Sequence, residues 1–157
     1  MDGITTFAAS VDNPIIREAS MIIGNYFVYG LIVLGLLLLG ETRNEKRLKI
    51  VISIFFAIII GLFIKELLAH PRPCIGNEWC PYDNSFPSIH ALAAFTLMCG
   101  FIKKKTYPFY LLFALFVAFS RLNLGVHVFQ DIAAALPLAL VSYYITDLIW
   151  KIGDNNG

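Results

Sequence analysis

His127 and Asp131 stand four residues apart in SRLNLGVHVFQD, the stretch from Ser120 to Asp131. On a helix that spacing places an imidazole and a carboxylate on one face, within hydrogen-bond reach. A carboxylate bound to one ring nitrogen fixes the tautomer and leaves the other nitrogen free to act as base or nucleophile. His90, in the string PSIH, has no carboxylate partner on its own helix and suits protonation of a leaving oxygen. Lys65 and Arg72 lie in KELLAHPRP, and Arg121 precedes the His127 segment. Arginine offers planar bidentate donation and lysine a mobile point charge, which together suit a phosphoryl oxyanion.

The elements that must position these groups are set by composition. The 157 residues are 58% hydrophobic and only 15% charged, against roughly 25% charged in an ordinary soluble domain. Mean hydropathy is +0.72. Length allows one domain over residues 1–157, and a net charge of +1 leaves no basic surface for nucleic acid. No basic region precedes an apolar stretch at the N-terminus, so no cleavable signal peptide is expected. The expected fold is all-α: an integral membrane helical bundle of about five transmembrane helices, near residues 19–40, 48–69, 86–102, 106–122 and 128–150. Before them, Ile4, Phe7, Ala8, Val11 and Ile15 follow helical spacing and predict a short amphipathic segment, interrupted at Asp12-Asn13-Pro14, with an unstructured lead-in as the alternative.

Loop charge orients this bundle. Arg43, Lys46, Arg47 and Lys49, then Lys103, Lys104 and Lys105, then Lys151, all fall on one side if five helices alternate direction. The positive-inside rule makes that side cytoplasmic, with the N-terminus outside and the C-terminus inside. The three polar motifs then meet at the outer face. Lys65, Arg72 and Arg121 sit at helix C-termini, whose dipoles favour cations. Ser88 to His90 and His127 open helices, whose free N–H groups favour an anion. Charged groups at that depth are costly and point to function.

Several residues carry plainer readings. Lys65 and Glu66, taken alone, read as a structural ion pair. His70 reads as structural or interfacial, and Asp147 as a solvated charge at the inner end of the last helix. Trp79, Trp150, Tyr143 and Tyr144 read as interface anchors or packing. Gly24, Gly30, Gly35 and Gly61 read as sites of close helix packing. Cys99 should be a small buried hydrophobe. Cys74 and Cys80 flank IGNEW in the outer loop, where an oxidising environment would permit a disulfide and a reducing one would leave free thiols. Two thiols without further ligands fall short of a zinc site, so no metal is expected.

The three strings together resemble the signature of the type 2 phosphatidic acid phosphatase superfamily, which also includes vanadium haloperoxidases. That signature is Lys-x6-Arg-Pro, Pro-Ser-Gly-His and Ser-Arg-x5-His-x3-Asp. Lys65, Arg72 and Pro73 match the first element; Pro87, Ser88 and His90 the second; Ser120, Arg121, His127 and Asp131 the third. The resemblance implies a phosphatase without metal or cofactor, acting on a phospholipid or prenyl-phosphate substrate at the extracytoplasmic face of a plasma or inner membrane. It assigns His127 as nucleophile forming a phosphohistidine, Asp131 as its orienting carboxylate and His90 as acid and then base. Lys65, Arg72, Ser88, Arg121 and the backbone N–H of Ile89 would bind the phosphate. Ile89 departs from the family glycine; helical φ is expected there, with its side chain packed or facing lipid. Candidate substrates are isoprenyl diphosphate, lipid A 1-phosphate, phosphatidylglycerophosphate and phosphatidate. A lipid phosphotransferase using the same intermediate is the alternative, followed by a haloperoxidase and a non-catalytic lipid- or anion-binding protein.

Overall fold

The computed structural model describes residues 2–155 and is all-α, with seven helices among the described residues. They are α1 (Gly3–Ser10), α2 (Pro14–Gly24), α3 (Tyr26–Gly40), α4 (Asn44–Leu68), α5 (Ile89–Cys99), α6 (Tyr107–Asn123) and α7 (Phe129–Asn155). Asp2 caps α1 by accepting from Thr5 N at 2.8 Å, and Asn13 caps α2 from the break at Asp12-Asn13-Pro14.

The expectation of about five transmembrane helices is corrected. Among the described residues only α4 and α7 are long and apolar enough to cross a membrane, or three spans if the bent pair α2–α3 counts as one. The stretch read as one span over 19–40 breaks at Asn25, whose side chain accepts from Phe27 N and Val28 N and starts a new helix. The two halves meet at 91°. The segments read as 86–102 and 106–122 form helices of 11 and 17 residues, or roughly 17 and 26 Å against a ~30 Å hydrocarbon core. In α5, every residue from His90 to Cys99 is buried. A helix apolar on all sides suits either lipid or a protein interior. Here α5 is the interior, enclosed chiefly by α4, α6 and α7.

Close approach to α5 depends on Gly61 of α4. A Cβ there would lie 2.6 Å from Leu92 Cδ2 and 2.8 Å from Ile89 Cδ1. Gly24 faces the Arg121 guanidinium, with a Cβ position 3.4 Å from Nη1, whereas Gly30 and Gly35 have open space and pack against nothing. Cys99 is buried and free.

The Lys-rich segments gather at one end. Lys104 Nζ lies 3.0 Å from Glu41 and donates to Gly40 O at 2.8 Å, and Lys46 Nζ lies 3.7 Å from Glu41. Asp147 is paired with Lys49 and Lys151, not simply solvated. The Lys49–Asp147 pair joins the start of α4 to the end of α7, so these helices run antiparallel. Lys65 is at the far end of α4, roughly 24 Å away along its axis. That far end carries the candidate site residues.

Candidate active site

At its C-terminus α4 stops at Ala69, which adopts φ 48 in the left-handed region. His70-Pro71 and Arg72-Pro73 follow, and the prolines exclude further helix. The chain then runs through an exposed loop closed by a Cys74–Cys80 disulfide. It returns where Ser85 N donates to His70 O at 2.7 Å. Cys74 and Cys80 pack with Val126, so the loop is docked on the short connection between α6 and α7. That connection turns at Gly125, whose φ of 67 suits glycine.

His127 is buried on this connection. Its Nδ1 lies 3.0 Å from Asp131 Oδ2, and its Nε2 lies 3.2 Å from Arg72 Nη1. Asp131 Oδ2 also accepts from the Ser85 hydroxyl and, at 3.0 Å, from Val128 N. Burial pushes the His127 imidazole down to about 4, against the opposing pull of Asp131. It is therefore neutral near pH 7, the state a nucleophilic nitrogen needs.

Arg72 is nearly immobilised. Nε donates to Asp83 O at 2.9 Å, Nη1 to Val126 O at 2.9 Å, and Nη2 to Asp83 Oδ1 at 2.7 Å. Lys65, 1% exposed, donates to Asp83 Oδ2 at 2.9 Å and to Asn84 O. The Lys65–Glu66 pairing is thus replaced by Lys65–Asp83. Burial would raise the Asp83 carboxyl, but hydrogen bonds from Lys65 and Arg72 outweigh it and hold the group below the ordinary carboxylate range.

A cavity of about 810 Å³ opens on this end, lined by Arg72, His90, Arg121 and His127 among others. His90 Nε2 is buried there without a hydrogen-bond partner among the described residues. Its ring is flanked by Tyr26 and Tyr29, with centroids at 4.5 and 4.8 Å, and its carbonyl accepts from Tyr29 Oη at 2.7 Å. Arg121 Nη2 donates to Ser20 O at 2.7 Å, which braces it against α2. Lys65, Ser88, Ile89 and Asp131 do not line the cavity; they stand behind its wall. Ser88 Oγ is buried without a partner, and Ser88 N donates to Asp131 O at 3.2 Å. Ile89 keeps φ out of the left-handed region and packs over Gly61. His70 contributes its carbonyl to the loop and places its ring 5.8 Å from Phe86.

Three contributors have no signal in the motifs. Ser85 and Asp83 lie in the polar loop, where short-range pattern says nothing about partners. Arg17 reaches the same cavity from α2, on the face shared by Met21 and Gly24. Its 17, 21, 24 spacing was readable, but nothing in the sequence placed that face against the site.

Residues 46–156, well over half the chain, match the PAP2 superfamily. The chain belongs to the PAP2 superfamily. It is similar to YbjG of Escherichia coli K12, at 28% identity over 136 residues, covering 79% of this chain and 67% of the relative. It is also similar to undecaprenyl-diphosphatase BcrC of Bacillus subtilis, at 26% identity over 140 residues, covering 82% and 72% of the two chains. Its fold resembles the crystal structure of LpxE from Aquifex aeolicus, with a TM-score of 0.74 and 19% identity over 91% of this chain and 92% of that one. This PAP2 protein is an integral membrane, metal-independent phosphatase acting on the phosphate or diphosphate of a lipid.

Proposed function

We propose that this PAP2 phosphatase hydrolyses a prenyl diphosphate at the extracytoplasmic face through a phosphohistidine on His127. One observation carries the mechanism: Asp131 holds Nδ1, so Nε2 is the nitrogen left facing the cavity beside Arg72. In the first step Nε2 bonds to phosphorus as the bond to the leaving oxygen breaks; His90, held down to about 3 by burial and by Arg121, takes up a proton as the anionic headgroup arrives and passes it to that oxygen. In the second, His90 takes a proton from water, whose oxygen attacks phosphorus, and the N–P bond breaks to release phosphate. Arg72 and Arg121, on the cavity wall, meet the phosphoryl oxygens as charge develops, and Lys65, Ser88 and the Ile89 N–H support them from behind that wall.

The prenyl diphosphate assignment is supported by the likeness to BcrC, named an undecaprenyl-diphosphatase. The outward orientation is supported by the Lys-rich end lying opposite the site. The tail would lie against exposed apolar residues near the end of α4, such as Phe63 and Leu67. Phosphate release from purified prenyl diphosphate, phosphatidylglycerophosphate, phosphatidate and lipid A 1-phosphate tests the reading. Release chiefly from the prenyl substrate, lost in His127→Ala, is expected. Preference for another lipid overturns the substrate, and transfer of phosphate to a second lipid overturns hydrolysis.

A further inference from the structure

The two cations assigned to the phosphate already hold an anion from the chain itself. Asp83 Oδ2 lies 2.9 Å from Lys65 Nζ, and Oδ1 lies 2.7 Å from Arg72 Nη2. The carboxylate bridges two residues that the fold brings from either side of the helix end. Its own side chain is 38% exposed, whereas those of Lys65 and Arg72 are 1% and 4% exposed. The mobile partner in this triad is therefore the carboxylate.

The position is contested. A phosphoryl group in reach of His127 Nε2 meets Arg72, whose Nη1 is 3.2 Å from that nitrogen. Arg72 Nε and Nη1 are occupied by the carbonyls of Asp83 and Val126. Nη2 is held by the Asp83 carboxylate, a side chain that can leave without disturbing the backbone anchors. Lys65 likewise keeps Asn84 O when the carboxylate departs. The fold thus separates two functions, with carbonyls that place the cations and a displaceable carboxylate that neutralises them. Asp83 lies between the disulfide-closed tip and the anchored Ser85, in the exposed segment 81–83. Its carboxylate has solvent to move into.

We propose that Asp83 is an internal occupant of the phosphate clamp, displaced when the phosphoryl group binds, and that it thereby sets how tightly the site holds phosphate. With Asp83 present, two cations face one carboxylate; an arriving anion must replace it. This inference rests on the phosphatase reading and adds a residue that tunes anion affinity, with the benefit that product phosphate leaves readily.

Titration calorimetry of orthovanadate, a phosphate analogue, into the full-length protein in detergent tests it without turnover. Asp83→Asn keeps an acceptor oxygen for the cations but removes the competing charge. It should bind vanadate about fivefold more tightly than wild type, the scale of a partly exposed ion pair. Equal or weaker binding overturns the inference and leaves Asp83 as a residue that merely positions Lys65 and Arg72. Infrared difference spectra give a second reading. Vanadate binding to wild type should shift a carboxylate stretch that is missing from Asp83→Asn, and an unchanged carboxylate band overturns displacement. Wild type that neither binds vanadate nor releases phosphate refutes the phosphatase reading itself, a result distinct from either of these.

Discussion

Ser85 donates its hydroxyl to the same Asp131 oxygen that holds His127 Nδ1. With Val128 N as a third donor, Oδ2 is fixed from the loop, the connection and the imidazole at once. Ser85→Ala should lower kcat about fivefold with little change in KM, the worth of one hydrogen bond to the orienting group. Asp131→Asn replaces the carboxylate with an amide whose NH2 can hold the wrong tautomer, and should lower kcat by about 10³- to 10⁴-fold. Steady-state phosphate release from both variants checks the order of the two effects; an equal loss in both contradicts it.

His90 is placed by its surroundings instead of by a carboxylate. Tyr29 Oη donates to its carbonyl at 2.7 Å in a buried setting. Tyr29→Phe removes that buried hydrogen bond from a carbonyl already in the α5 ladder and should cost about 1 kcal/mol of stability. It should also lower kcat modestly by loosening the ring that Tyr26 and Tyr29 flank. Thermal midpoints and initial rates in the same detergent read both changes.

Much of this site was legible before the fold was known. The pairing of His127 with Asp131 is local chemistry, and it survives although His127 stands on the connection just before α7 and not on a helix. The three cations were readable because charges in an oily chain demand a reason. Span counting failed where apolarity had another cause. The run around His90 to Cys99 is apolar because protein surrounds it, and composition does not distinguish protein from lipid. The bend at Asn25 is written in one capping side chain inside a long apolar stretch, a signal too short to outweigh its context. Asp83 and Ser85 were invisible for a different reason: their partners are set by how the 20-residue loop between α4 and α5 folds back, which no periodicity encodes.

Packing of α4 on α5 should tolerate no side chain at position 61. Gly61→Val places atoms where Leu92 and Ile89 already lie. It should destabilise the protein by about 1–3 kcal/mol, as overpacking does. A lowered thermal midpoint checks it, and an unchanged one would show that the helices can separate freely.

Acid should destabilise the native state in two stages. His127 titrates near 4 in the fold against 6.5 when unfolded. The unfolded chain therefore binds a proton that the native state refuses between those values, and stability falls as pH drops through that window. Asp83 is held below its ordinary 3.8, so its contribution is present above that value and is lost as pH falls further. Thermal midpoints from pH 7 down to 3 read the slope, and His127→Asn should make the upper stage shallower without abolishing it, because burial and Arg121 hold His90 down to about 3 and it acts over the same window.

The covalent intermediate is the central claim. Wild-type protein turning over its lipid substrate, quenched in alkaline denaturant and digested, should carry phosphate on the peptide containing His127. His127→Ala should carry none and release no phosphate. Phosphate trapped on another residue, or turnover persisting in His127→Ala, would contradict the account.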